Sequence, residues 1–88
     1  MIHEFEFDSN KSERNKQKHG IDFIKVQVLW DDPDRVDIPA RTEDEPRYLN
    51  IGKIENVCWS VITTYRGDQI RIISARRSRE REIRIYES

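Results

Sequence analysis

The run RYLNIGKI-EN-VCWSVITTY-RGD-QIRIISA, residues 47–75, decides the fold class. Three stretches rich in β-branched and aromatic residues, Arg47–Ile54, Val57–Tyr65 and Gln69–Ala75, are separated only by Glu55-Asn56 and Arg66-Gly67-Asp68. Connections this short, carrying Asn or Gly, suit antiparallel hairpins. In the middle stretch Val57, Trp59, Val61 and Tyr65 share one face, while Cys58 and Ile62 share the other. A small sheet with a buried face is therefore expected. Cys58 has no second cysteine to pair with and no evident base beside it, so it reads as a packed thiol and gives no sign of an oxidising compartment.

Outward from that core, the C-terminal side continues with Arg76 and Arg77 at the strand end. Ser78 is placed to cap a last helix, with Glu80 in its first turn and Arg84 near its end. Glu80 and Arg84 also form a favourable i,i+4 pair, and Ile83 and Tyr86 supply an apolar seam. On the N-terminal side, His3–Phe7 alternates as a short half-buried strand. Asp8 then caps a helix running to His19, and Gly20 supplies the left-handed position that helix ends favour. From Asp8 to Lys18 this helix has no apolar residue, and Lys11, Arg14, Asn15 and Lys18 fall on one face. Such a helix is a solvated brace or a working surface.

Residues 22–30 read two ways. Val26, Val28 and Trp30 alternate as a strand, whereas Phe23, Val26 and Trp30 behind an Asp22 cap are spaced as a helix; propensity leans to strand. Asp31-Asp32-Pro33 ends the element in either case. A brief strand follows at Arg35–Ile38, then a charged loop over Pro39–Pro46. The resulting expectation is one α+β domain over residues 1–88, a small antiparallel sheet with N-terminal helices and a C-terminal helix.

Charged residues outnumber hydrophobic ones, 38% against 35%, and the mean hydropathy of −0.90 approaches the disordered range. The two Trp, three Tyr and three Phe argue instead for a folded core. The formal charge of −1 hides a separation. Residues 22–48 hold eight acidic against four basic side chains, while residues 64–88 hold seven Arg against four acids. All basic groups of the second segment are Arg, whose planar fork of donors suits phosphate. No stretch is long and apolar enough for a membrane span and the polar N-terminus does not resemble a signal peptide, so a cytoplasmic protein is expected.

Several chemistries are excluded. Two His and one Cys without paired ligand spacing do not make a zinc site, and the acidic run at Asp31, Asp32, Asp34 and Asp37 lacks the central Gly and terminal Glu of a calcium loop. Three isolated glycines cannot cradle a phosphate, and there is no Gly-x-Ser-x-Gly turn to expose a serine nucleophile. What remains is the segment from Arg66 to Tyr86. Arg79, Glu82 and Tyr86 occupy adjacent positions of one helical surface, close in sequence to Arg76 and Arg77. Guanidinium groups, a carboxylate and a phenol suit metal-free RNA cleavage: Arg holds the phosphate, Glu accepts the 2′-hydroxyl proton, and Tyr donates to the leaving oxygen or stacks on a base. The bland alternative is that Tyr86 plugs the core and Glu82 pairs with Arg79. On residues alone, a non-catalytic nucleic-acid-binding module and a protein-interaction module both stay open.

Asp8, Asn15, Lys18-His19-Gly20, Phe23, Asp31-Asp32-Pro33, Ile72-Ile73-Ser74-Ala75-Arg76-Arg77, Glu82 and Tyr86, in this order and spacing, closely resemble the BrnT toxin family. The resemblance runs nearly end to end. It implies a RelE-like fold, helical structure over residues 22–30, and metal-independent endoribonuclease activity of the mRNA interferase type that arrests translation and growth. It also implies neutralisation by a ribbon-helix-helix antitoxin, BrnA, in a complex that contacts promoter DNA through the antitoxin. The family's functional positions would fall on Arg76 and Glu82, and on Arg66, Arg77 and Tyr86. Taken with the charge pattern, Arg76, Glu82, Arg66 and Tyr86 are expected in catalysis and Arg77, Arg79, Arg81, Lys18 and His19 in contact with RNA, with no cofactor or metal. An exposed Arg cluster that meets RNA also offers its guanidinium groups to an acidic or amphipathic antitoxin segment.

Overall fold

The computed structural model describes residues 3–40 and 44–88. Glu55 and Asn56 both adopt positive φ, 51° and 68°, which sets the two-residue turn between β3 (Arg47–Ile54) and β4 (Val57–Arg66). Glu55 is the uncommon residue in that conformation, and Lys25 Nζ holds its carboxylate at 2.7 Å. Gly67, at φ 60°, turns β4 into β5 (Gln69–Arg77). The expected hairpins are thus present, and β5 runs two residues further than expected, so Arg76 and Arg77 lie on the strand rather than after it.

β2 (Val36–Ala40) pairs antiparallel with β3, while β1 (Glu4–Glu6) pairs parallel with β5, giving the order β1-β5-β4-β3-β2. The sheet is therefore mixed, which corrects the purely antiparallel expectation. The parallel pair spans only Glu4–Glu6 against Gln69–Arg71, too short for its direction to leave a sequence pattern. Pro39 and Ala40, expected in a loop, extend β2; proline is tolerated there because β2 is an edge strand. Within the rest of that expected loop, residues 41–43 lie outside the described residues.

One irregularity shifts the phase of β5. Ile62 faces Ser74 whereas Thr63 faces Ile72, so Ile73 is an extra residue in a bulge. Ile70 and Ile72 before it and Ala75 after it consequently all turn to the buried face. Against that face lie Phe23, Val26 and Leu29, with Trp59 and Val61 beneath them.

The segment 22–30 is helical, and the strand reading fails. Asp22 Oδ1 accepts from Ile24 N (3.0 Å) and Lys25 N (2.8 Å), starting a 3-10 helix over Lys25–Asp31. At three residues per turn, Val26 and Leu29 stack on one side and are fully buried. Leu29 packs on the bare backbone of Gly52: a Cβ there would come within 3.0 Å of Leu29 Cγ and 3.3 Å of Asp32 Oδ2.

α1 (Ser9–His19) begins and ends as its caps dictate: Asp8 Oδ1 accepts from Asn10 N and Lys11 N, and Gly20 takes φ 84°. Lacking apolar residues, it docks through two buried polar ones. Ser12 Oγ accepts from Phe23 N (2.9 Å); Asn15 donates to Ile21 O (2.8 Å) and accepts from Ala75 N (3.2 Å). Because β1 pairs only with Gln69–Arg71, Asn15 takes over as partner further along the β5 edge. α2 (Glu80–Glu87) sits on the opposite face: its Glu82 meets Ser60, whereas the neighbouring Trp59 belongs to the core beneath the 3-10 helix. No helix among the described residues is long and apolar enough to cross a membrane.

Gly52→Ala should push Leu29 and Asp32 off the sheet and cost about 1–3 kcal/mol of stability, read as a lower urea midpoint. An unchanged midpoint would show that the 3-10 helix does not rest on this residue.

Candidate functional site

Arg76 lies opposite Ser60 at the end of β5, on the face that receives α2. Its Nη1 and Nη2 donate to Glu82 Oε1 and Oε2 at 2.7 and 2.8 Å, a bidentate pair. Glu82 Oε1 also accepts from Ser60 Oγ (3.0 Å) and from the backbone N of Arg79 (2.8 Å). Ser60 Oγ in turn shares a hydrogen bond with Ser78 Oγ at 2.8 Å. The expected cap is thereby corrected. Arg79, not Ser78, stands at the N-cap, and Glu82 at the third helical position reaches back to its N–H.

Glu82 is only 8% exposed. Hydrogen bonding from Arg76 is the main cause that holds its carboxyl down at about 2; burial works against ionisation, and Arg79 N and Ser60 support it. The Arg76 guanidinium is raised by the same bond. Glu82 is thus an anion whose Oε1 accepts three hydrogen bonds and whose Oε2 accepts one from Arg76, a weak base but a firm clamp on Arg76. The pair uses one N–H from each Nη. Nε–H and the outer N–H of Nη2 remain as a second fork without a protein partner among the described residues.

The other expected site residues are divided by the fold. Arg79 and Arg81 flank Glu82 around a groove of about 310 Å³ whose remaining lining is Ile38, Leu49 and Ile85. Arg77 points to the opposite face, its guanidinium 5.8 Å from the Trp59 ring centroid. Arg66 stands six residues along β4 from Ser60, about 20 Å away at strand rise, and lies 3.9 Å from Glu6. Lys18 and His19 border a separate groove of about 210 Å³ between α1 and the β5 bulge, with Lys11, Arg14, Ile73 and Ser74.

Tyr86 does not join Arg79 and Glu82. Its hydroxyl donates to Asp32 Oδ2 at 2.6 Å, which pushes its pKa up to about 12, and Lys53 Nζ lies 5.8 Å from its ring. Asp32 also accepts from Lys53 N and Asp34 N; burial opposes its ionisation, but these bonds outweigh it and hold the carboxyl below its usual value. Ser60, Ser78, Asp32 and Lys53 were not among the expected site residues. In the sequence Asp32 stands out only within the Asp31-Asp32-Pro33 element and Ser78 only as a helix cap, while Ser60 shows as a hydroxyl between Trp59 and Val61 in an otherwise apolar part of the strand. Among the described residues, no three or more His, Cys, Asp or Glu side chains gather as a metal site would require.

Because the folded pKa of Glu82 is depressed from 4.5 to about 2, its contribution to stability is complete above about pH 4.5 and is lost as pH falls towards 2. Glu82→Gln should destabilise by about 2–3 kcal/mol at neutral pH, and the gap to wild type should close across that acidic window. Urea titrations of both proteins along the pH series check this; a gap that stays constant would contradict the pairing.

No curated protein matches the chain. The family model described as "Ribonuclease toxin, BrnT, of type II toxin-antitoxin system" matches residues 7–82, a span that includes α1, strands β2 to β5 and the Arg76–Glu82 pair. With so much of its length matched, the chain belongs to the BrnT family, the ribonuclease toxins of type II toxin–antitoxin systems.

Proposed function

We propose that the Arg76 cluster binds the scissile phosphate of RNA and promotes cleavage without a metal ion. The observation that carries this reading is the second donor fork of Arg76, fixed in direction by the Glu82 clamp on a side chain that is 29% exposed. In the reaction the ribose 2′-oxygen bonds to phosphorus as the P–O5′ bond breaks. The 2′-hydroxyl proton is released, the departing 5′-oxygen takes up a proton, and a 2′,3′-cyclic phosphate is left. Negative charge grows on the non-bridging oxygens, where a preoriented guanidinium is worth more than one that must first be ordered. In this reading Glu82 is a positioning residue, and the low pKa that Arg76 gives its carboxylate is why a proton-accepting role is not assigned to it.

Arg79 and Arg81, flanking Glu82, would hold phosphates next to the scissile one. Arg77, stacked on Trp59, and Lys18 and His19, in the groove beside the β5 edge, would guide the strand further out. Tyr86 would serve by tying α2 to Asp32, and Arg66, at the far end of β4, would act only on distant RNA. The same reading includes a single-domain RelE-like toxin of the mRNA interferase type working in the cytoplasm. It also includes neutralisation by a BrnA-like ribbon-helix-helix antitoxin, with DNA contacted only through that partner.

Arg76→Ala should reduce cleavage by about 10²–10³, the cost of losing one charge-stabilising donor, and Arg76→Lys should recover only part of it because a point charge lacks the fork. Both variants are assayed on RNA in excess chelator, with circular dichroism to verify the fold. A folded Arg76→Ala that cleaves normally would remove Arg76 from the reaction, and wild-type cleavage abolished by chelator would end the metal-free reading.

A further inference from the structure

The groove beside α2 has a composition that an RNA backbone does not require. Its floor is aliphatic, formed by Ile38 of β2, Leu49 of β3 and Ile85 of α2, and Ile85 is one of the large hydrophobic side chains left exposed. Its rim is cationic. Arg79 and Arg81 form no side-chain ion pair among the described residues, whereas Arg35, Arg71 and Arg84 each face a carboxylate. An apolar floor beside two exposed guanidinium groups is complementary to a peptide with aliphatic side chains on one face and carboxylates beside them.

We infer that this groove seats an acidic, amphipathic segment of the antitoxin, which closes the RNA site by occupying it. The inference rests on the assignment of RNA to the Arg76 cluster, and it adds the device that silences that cluster. Glu82 lines the groove as well as clamping Arg76, so a segment lying over Ile85 and reaching Arg79 and Arg81 also covers the approach to the scissile phosphate. The mode of docking follows from the edge strand. Pro39, next to Ile38, offers no N–H, which disfavours addition of a further strand to β2. A helix laying its apolar side into the groove needs no such donor. RNA and antitoxin would share the arginines, but only the antitoxin would use the floor.

That difference supplies the test, made with the full chain and its purified cognate antitoxin. Affinity for the antitoxin is read by calorimetry, and RNA cleavage is read separately without antitoxin. Ile85→Ser removes part of the apolar floor without adding charge beside Arg81; it should weaken antitoxin binding by about tenfold or more while cleavage stays within about twofold of wild type. Arg81→Glu should weaken antitoxin binding and RNA binding together. Ile85→Ala gives the same comparison with a milder change should the Ser variant unfold, and urea denaturation verifies each fold. Unchanged antitoxin affinity in both Ile85 variants would overturn the seat, as would equal losses of cleavage and antitoxin binding in either. If the wild-type chain does not cleave RNA, the assignment of Arg76 falls, while the antitoxin affinities still decide the seat.

Discussion

A buried carboxylate in a domain this small has to be fully satisfied, and Glu82 meets that constraint by drawing three parts of the chain to one point. Arg76 comes from the end of β5, Ser60 from the middle of β4, and the Arg79 N–H from the start of α2. An eight-residue helix has little stability of its own, so its position depends on such ties. The bond from Tyr86 to Asp32 fixes its other end, and Asp32 also binds the backbone of Lys53 and stands beside Gly52. The two carboxylates thus hold α2 at both ends. Removing one partner from a pair as buried as Arg76–Glu82 would leave the other desolvated and unmatched, which costs more than the contact itself.

The same arrangement sets what the site can do. A guanidinium clamped on one edge keeps its other edge in a fixed direction, and charge stabilisation then requires little reorganisation. With its carboxyl held down at about 2 by Arg76, Glu82 is a weak base. Charge is divided between the two halves of the molecule in a related way. Most acidic side chains of residues 22–37 are engaged in local work: Asp22 caps the 3-10 helix, Asp32 holds α2, and Asp37 pairs with Arg35 and Asn50. Among the described residues Arg79 and Arg81 form no side-chain ion pair, and both line the groove that Glu82 shares. Net charge says nothing of this, since it sums the two segments.

Much of the fold was legible because local chemistry agreed with it. The two hairpins followed from Glu55-Asn56 and Arg66-Gly67-Asp68, and α1 from Asp8 and Gly20. Residues 22–30 were harder, since β-branched side chains favoured a strand while the Asp22 cap and the packing of Leu29 on Gly52 favoured a helix; the tertiary contact prevailed. The parallel β1–β5 pair and the bulge at Ile73 left no local signal, because each is a relation between distant segments. The site divides along the same line. Arg76 and Glu82 stood out through their resemblance to a family, but spacing suggested a Glu82–Arg79 pair, and only the strand extending to Arg77 brings Arg76 to the carboxylate. Helical periodicity placed Tyr86 beside Glu82, whereas its partner Asp32 lies 54 residues away.

In the proposed reaction the 2′-hydroxyl of the RNA itself attacks phosphorus at a guanidinium-centred site. The chemical ends of the fragments report this most directly. Mass spectrometry of a defined oligonucleotide cleaved by the purified chain in excess chelator should show 2′,3′-cyclic or 3′-phosphate ends facing 5′-hydroxyl ends. Fragments carrying 5′-phosphate and 3′-hydroxyl ends would mean that water attacks phosphorus instead, and would contradict the account.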